Sequence, residues 1–340
     1  MRIMQVMGSD KRGGAENFFA RLCVALSRTG LEQQVVIRRN APCKQDLVDG
    51  GITPVELPFF YSGDIVTKLL LKRRIAKFAP DIVLTWMSRA TSVCPDGPFV
   101  RMARLGGYYD LKYYRSCHHL IANTEEIVDY LAKHGWPREK ASYLPNFVDE
   151  SDDRPIDRAS LQTPPDVPVI LALGRLHSDK AFDVLLDAMA LVPRAHLWLA
   201  GEGGLDAPLK AQAARLGIAG RVHFLGWRTD SGALLAAADC LVCPSRVEPL
   251  GNVILEGWIH KKPVVAAAST GPAGLIETER TGLLVPMEEA APLAAALNRV
   301  IDDPALAGAL AEAGHARYLA CFSRNAVVGL YLDFFRKMVR

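Results

Sequence analysis

Between residue 2 and about residue 286, short apolar runs alternate with stretches of helical periodicity, and this alternation restricts the fold more than any other feature. Strand-like runs fall at 2–7, 33–37, 52–57, 81–85, 119–123 and 142–145, then at 169–173, 197–200, 222–225, 240–243 and from 266 onward. Helical pattern separates most of them. Strand and helix taken in turn build parallel sheets wrapped on both faces, because a parallel crossover needs a helix-length connection. Ligands in such sheets bind beyond the carboxyl ends of the strands, so the loops that follow the strands are the place to look for chemistry. With 340 residues, the chain is long enough for two domains with separate cores, and the polar, proline-rich run from Glu150 to Pro168 reads as the linker between them.

Composition excludes several classes. Half the residues are hydrophobic and 23% are charged, an ordinary globular balance. The net charge of +3 is unevenly spread: residues 1–150 hold 21 Lys and Arg against 16 Asp and Glu, and the remainder 19 against 21. The basic half suits an anionic partner, but the excess is too small for a nucleic-acid protein, and no nucleic acid is expected. The opening Met1–Met7 run is too short for a signal peptide, and no apolar run reaches the length of a membrane span. Among seven cysteines only Cys240 and Cys243 are close; three apart in a strand, they point to opposite faces and read as buried and reduced. A cytoplasmic location follows as the expectation. The eight histidines make no metal-binding pattern, and Asp152-Asp153 and Asp302-Asp303 fit linker and helix-cap contexts, so no metal is expected.

The stretch Pro244-Ser-Arg-Val-Glu248-Pro-Leu250-Gly251-Asn252-Val253-Ile-Leu-Glu256 follows the Cys240–Cys243 strand. Pro249 and Gly251 break the strand, and Asn252 has N-cap character at the start of a helix. The unpaired N–H groups and positive dipole end of such a helix hold phosphate, and Glu256, one turn in, leans back toward that end. Glu248 stands in the loop on the other side of the anion site. The arrangement suits a diphosphate flanked by two hydroxyl-bearing groups. It reads equally as two exposed acids near a helix start, where acids are favoured.

Other segments offer cations and glycines at strand ends. Gly13-Gly14-Ala-Glu16 opens a helix running to about Ser27, either an anion-binding loop or a tight turn, and Gly174, Arg175 and Lys180 follow the 169–173 strand. Residues 64–78 combine Ile65, Leu69 and Leu70 with Lys68, Lys72, Arg73, Arg74 and Lys77; the helix either packs as an ordinary surface helix or lies on an anionic bilayer. Arg104 to Arg115 mixes glycines, tyrosines and Lys112, a composition for stacking sugars and holding an anion or for tyrosines that pack on the sheet.

With seven residues between Glu248 and Glu256, the Gly-Gly-x-Glu loop, and the Gly-Arg-Leu…Lys segment in order, the chain resembles retaining glycosyltransferases of family 4 (group 1), including lipopolysaccharide core glycosyltransferases, over nearly its whole length. The resemblance implies an α/β, GT-B fold: two Rossmann-like, doubly wound domains facing a central cleft. Residues 1–150, with a C-terminal helix at about 323–340 packing back, would bind the acceptor, and 165–322 the nucleotide-sugar. The implied catalytic residues are Glu248, Arg175 and Lys180. The implied donor-binding set is Gly14, Arg175, Lys180, Gly226, Trp227, Arg228, Glu248, Leu250, Gly251, Asn252, Val253 and Glu256, with Glu256 on the ribose and Glu248 on the sugar. The implied activity is a retaining, metal-independent hexosyl transfer from a nucleotide-sugar, UDP favoured, to a glycan or glycolipid of lipopolysaccharide core or another cell-surface polysaccharide. No cofactor is expected, and peripheral contact with the inner-leaflet membrane is a further expectation. Two departures stand out. Trp86-Met-Ser-Arg89 lacks the histidine that many members carry there, and Ala181 replaces the glycine after the lysine, which denies that position an easy positive-φ turn. The alternatives are a sugar-nucleotide epimerase on the same fold and a non-catalytic nucleotide-sugar-binding subunit.

Overall fold

A computed structural model describes residues 1–61, 64–150 and 153–339; Asp152 lies outside the described residues. The chain divides into two units, one made of Met1–Phe147 with the C-terminal stretch from Arg324, the other of Val148–Ser323.

In the first unit, β1 (Arg2–Met7), β2 (Glu32–Arg38), β3 (Val55–Leu57), β4 (Ile82–Trp86), β5 (Val100–Leu105), β6 (His119–Ala122) and β7 (Ala141–Tyr143) form one parallel sheet in the order β3-β2-β1-β4-β5-β6-β7. The strand order reverses between β1 and β4, which opens a crevice at their carboxyl ends. Period-two alternation sorts the core. Ile3 and Met7 pack with Phe18, Phe19 and Leu22 of the Gly14–Ser27 helix and with Val327, Tyr331 and Phe335 of the Arg324–Val339 helix. Met4 and Val6 face the other side, against Leu71 and Ile75 of the Ile65–Phe78 helix.

Two expectations need correction here. Residues 100–105, outside the strand-like runs, form β5 at full register with β4 and β6. Arg101 and Arg104 interrupt its apolar pattern, but both are buried and satisfied: Arg101 donates to Asp96 at 2.7 Å, and Arg104 lies between the Phe18 and Trp86 rings, donating to Tyr331 Oη at 2.8 Å and to Asn146. Arg104 is therefore a core residue, only 2% exposed, and not an anion receptor beside Lys112, which is itself paired with Asp110 at 2.7 Å. The Ile65–Phe78 helix, capped by Asp64, buries Thr67, Leu71 and Ile75, whereas Ile65 and Leu69 of its expected apolar face point to solvent.

In the second unit, β8 (Val169–Leu173), β9 (His196–Ala200), β10 (Val222–Gly226), β11 (Cys240–Cys243), β12 (Val264–Ala267) and β13 (Leu283–Val285) form a parallel sheet in the order β10-β9-β8-β11-β12-β13. Cys240 and Cys243 enter the cores on opposite faces, both as free thiols. Much of the expected linker is bound to this unit. Arg158 donates to the carbonyls of Ala237, Pro165 and Val167 and pairs with Asp239 at 2.9 Å, while Ile156 and Leu161 pack on the core. Among the described residues no helix is long and apolar enough to cross a membrane.

Candidate active site

The carboxyl ends of β8, β9 and β10 are joined by backbone hydrogen bonds into one platform. Gly174 N–H donates to Ala200 O at 3.0 Å, Leu176 N–H to Glu202 O at 2.9 Å, and Gly201 N–H to Gly226 O at 2.7 Å. A Cβ on Gly201 would stand 1.8 Å from the Gly174 carbonyl oxygen, so only glycine permits this approach. From the platform rises the loop carrying exposed Arg175 and the single turn Ser178–Lys180. Ala181 takes the left-handed conformation that its methyl disfavours, at φ 51° and ψ 37°, with its N–H on Ser178 O. The substitution for glycine thus leaves the turn in place and puts strain of about 1–2 kcal/mol into the backbone directly after Lys180.

Glu248 is fixed from three directions. Lys180 Nζ donates to its Oε2 at 2.5 Å, Gly251 N–H donates to its Oε1 at 3.1 Å, and its backbone oxygen accepts Gly271 N–H at 2.7 Å. The loop that bears it is locked to the β8 loop by Arg246. That guanidinium makes paired bonds to Asp183 at 2.8 and 2.7 Å, donates to Ser178 O at 2.7 Å and also reaches Glu288. Hydrogen bonds that Arg246 donates to Asp183 and Glu288 raise its pKa, and the same contact holds Asp183 below its usual range. Sequence reasoning did not single out Arg246 or Asp183 as fixing this loop. Cys243, beneath the loop, is pushed up to about 11 by burial, with the Glu248 charge adding to the effect, so it has no thiolate to offer as a nucleophile.

The helix Asn252–Ile259 begins here, and its cap is Gly251 at φ 67°, without a side-chain hydrogen bond. Asn252 is therefore the first helical residue and not the N-cap. A Cβ at Gly251 would meet Leu275 at 2.8 Å in addition to the unfavourable φ, which explains the glycine. Glu248 takes the Gly251 N–H, while the amides of Asn252 and Val253 lie ahead of the helix's own ladder, beside half-buried Leu250. Half-buried Glu256 lies on the same helix one turn further on.

At the end of β10, Gly226 turns with φ 65°, Trp227 is 71% exposed, and Arg228 is committed to Asp230 by bonds of 2.8 and 2.5 Å. The structure thus joins Lys180, Glu248 and Gly251 directly, and connects the Gly226–Arg228 turn to them through the platform. Gly14 belongs to the first unit, at the start of the Gly14–Ser27 helix, where Glu16 accepts a hydrogen bond from Ser9. Ser269, whose hydroxyl is buried without a partner among the described residues, sits two residues before Gly271 and was not anticipated; a serine at a strand end carries no distinctive signal in sequence.

Residues 167–303 match the family model for glycosyl transferases group 1, and residues 12–152 that for Glycosyltransferase Family 4. The lipopolysaccharide core biosynthesis glycosyltransferase LpsE of Rhizobium meliloti is 37% identical over 328 residues, 95% of this chain and 96% of LpsE. LpsD of the same organism, also a lipopolysaccharide core biosynthesis glycosyltransferase, is 35% identical over 344 residues, covering 100% of this chain and 99% of LpsD. Among solved structures, a glycosyltransferase from Rickettsia africae superposes with a TM-score of 0.87 at 20% identity, covering 100% of this chain and 98% of its own. Anabaena HepE in complex with UDP superposes at 0.82 and 23% identity, covering 99% and 100%. At these identities the structural likeness establishes the GT-B fold alone.

Proposed function

Because the chain belongs to the group 1, family 4 glycosyltransferases, we propose that it transfers a hexosyl group from a UDP-sugar, with retention and without a metal, to a glycolipid acceptor of lipopolysaccharide core. The observation that carries this reading is the Lys180–Glu248–Gly251 arrangement at the start of the Asn252–Ile259 helix. Charge develops on the leaving diphosphate as the glycosidic C–O bond breaks. Arg175, Lys180 and the first-turn amides of Asn252 and Val253 supply fixed positive charge and donors for it, the role that a divalent ion would otherwise fill. Glu248 holds hydroxyls of the departing sugar and Glu256 those of the ribose. The acceptor oxygen attacks from the face the diphosphate is leaving, and its proton passes to the leaving phosphate oxygen, which gives retention with no protein nucleophile. HepE, solved with UDP, and the relatives named for core biosynthesis support the donor and the acceptor class. The test is to incubate the protein with UDP-sugars and a core oligosaccharide in EDTA and follow UDP release. Release that requires a divalent ion, or that never exceeds the no-protein control, removes the reading.

A cytoplasmic enzyme working on a glycolipid has to reach a bilayer, and the first unit presents a surface for peripheral docking on the inner leaflet. Phe60, Tyr61, Ile65, Val66 and Leu69 are all more than half exposed, next to exposed Lys68, Lys72 and Arg73. Amphipathic insertion plus about 1 kcal/mol per cation at an anionic surface gives reversible, salt-sensitive binding. Sedimentation with phosphatidylglycerol vesicles checks it, and a protein that stays in the supernatant at low salt would exclude docking.

A further inference from the structure

We infer that Arg38 and Arg89 form the receptor for an anionic group, phosphate or carboxylate, on the acceptor, and that Asp10 occupies this receptor when the acceptor is absent. The inference rests on assigning the acceptor to the first unit. Three carboxyl ends of that sheet meet at the site: the loop after β1 supplies Asp10, β2 ends on Arg38, and the helix Met87–Val93 after β4 supplies Arg89. The two guanidiniums take different oxygens of one carboxylate. Arg38 Nη1 pairs with Asp10 Oδ2, and Arg89 Nη1 lies 3.6 Å from Oδ1 while donating to Gly8 O at 3.2 Å.

The stoichiometry leaves this cluster one positive charge in excess, and Lys11 and Arg39 are exposed beside it in sequence. The side chains of Arg38, Asp10 and Arg89 are 26%, 45% and 36% exposed. Such solvent-exposed pairs are weak, so an incoming anion displaces Asp10 easily, whereas a guanidinium's planar fork offers two parallel donors to a phosphate or carboxylate.

The backbone around the cluster is built to hold it. Gly8 lets the Arg89 stem and the Phe59 ring lie close: a Cβ there would meet Phe59 at 2.9 Å and Arg89 Cγ at 3.3 Å. Phe59 and Met87, just past the ends of β3 and β4, sit at φ 48° and 59°, conformations that non-glycine residues adopt at a cost and that concentrate at functional sites.

The test uses the full chain with glucose 6-phosphate, glucuronate and glucose as probes, read by ligand-observed NMR titration. Wild-type protein is expected to bind the charged probes at least about tenfold better than glucose, and whichever is preferred identifies phosphate or carboxylate as the source. Arg38→Ala and Arg89→Ala are expected to lose that preference. Asp10→Asn is expected to raise charged-probe affinity several-fold, because the internal competitor loses its charge while its shape stays. UDP affinity, measured in parallel, is expected to remain within about twofold in all three variants, which shows an intact fold. Failure of UDP to bind the wild type would count against the donor assignment and leave the anion receptor standing. Equal binding of glucose and the charged probes by wild type, an undiminished preference in both arginine variants, or weaker charged-probe binding in Asp10→Asn would each overturn the inference.

Discussion

Lys180 Nζ lies 2.5 Å from Glu248 Oε2, with the two side chains 24% and 12% exposed. The cation assigned to the diphosphate and the acid assigned to the donor sugar therefore neutralise one another before the donor arrives. Each keeps the other in place, so neither long side chain has to be ordered when UDP-sugar binds. Lys180→Ala is expected to lower kcat by roughly 10²–10³, the usual effect of losing one preorganised electrostatic donor. The variant is also expected to lose about 1–3 kcal/mol of stability, because the largely buried Glu248 side chain keeps the Gly251 amide but loses its charged partner. Steady-state kinetics and a urea melt measure the two effects separately.

The two carboxylates are separable by ligand. Glu256→Ala is expected to weaken binding of free UDP, whose ribose is its assigned partner, by about the tenfold or more that follows loss of a charged hydrogen bond. Glu248→Ala is expected to spare UDP and to impair transfer. Calorimetric titration of UDP into both variants decides this, and equal losses would mean that at least one assignment is misplaced.

Strain at Ala181 makes a prediction about stability alone. Replacing it with glycine relieves the left-handed conformation but loosens the unfolded chain, for a net stabilisation of about 0.5–1 kcal/mol. A thermal melt that falls instead would show that packing of the buried methyl outweighs the strain.

The docking of the Arg324–Val339 helix should respond to acid. His119, on β6, packs edge-on against Phe334 at 5.2 Å and lies 2.9 Å from Ser142 Oγ; burial, reinforced by Lys337, lowers its pKa to about 4. The unfolded imidazole takes up its proton near pH 6.5, so the unfolded state gains protons first as pH falls. Stability from this site is complete above about pH 6.5 and declines between 6.5 and 4, by about 3 kcal/mol in all. Urea melts across that range check it, and His119→Gln should flatten the dependence.

The parallel architecture was legible because strand and helix periods alternate without long interruptions, and the glycine-bearing strand ends were legible because close backbone approach leaves few alternatives to glycine. What escaped notice depends on distant partners. Arg104 marks β5 as a loop until Tyr331, 227 positions away, and Asn146 are seen to satisfy it inside the core. Arg246 gives no hint of fixing the site until Asp183, 63 residues earlier, is found against it. Asn252 had the composition of a cap, yet Gly251 took the position because Glu248 and Leu275 crowd that turn. In the Ile65–Phe78 helix the apolar residues outnumber what one packing face needs, so the sequence alone could not say which of them would face solvent.

The most direct test of the central claim is time-resolved proton NMR of the anomeric region during turnover of a UDP-hexose on a de-O-acylated core oligosaccharide, with EDTA present. The account expects UDP to accumulate at an undiminished rate and the new linkage to appear with the anomeric configuration of the donor. An inverted linkage, or no product until a divalent ion is restored, would contradict it.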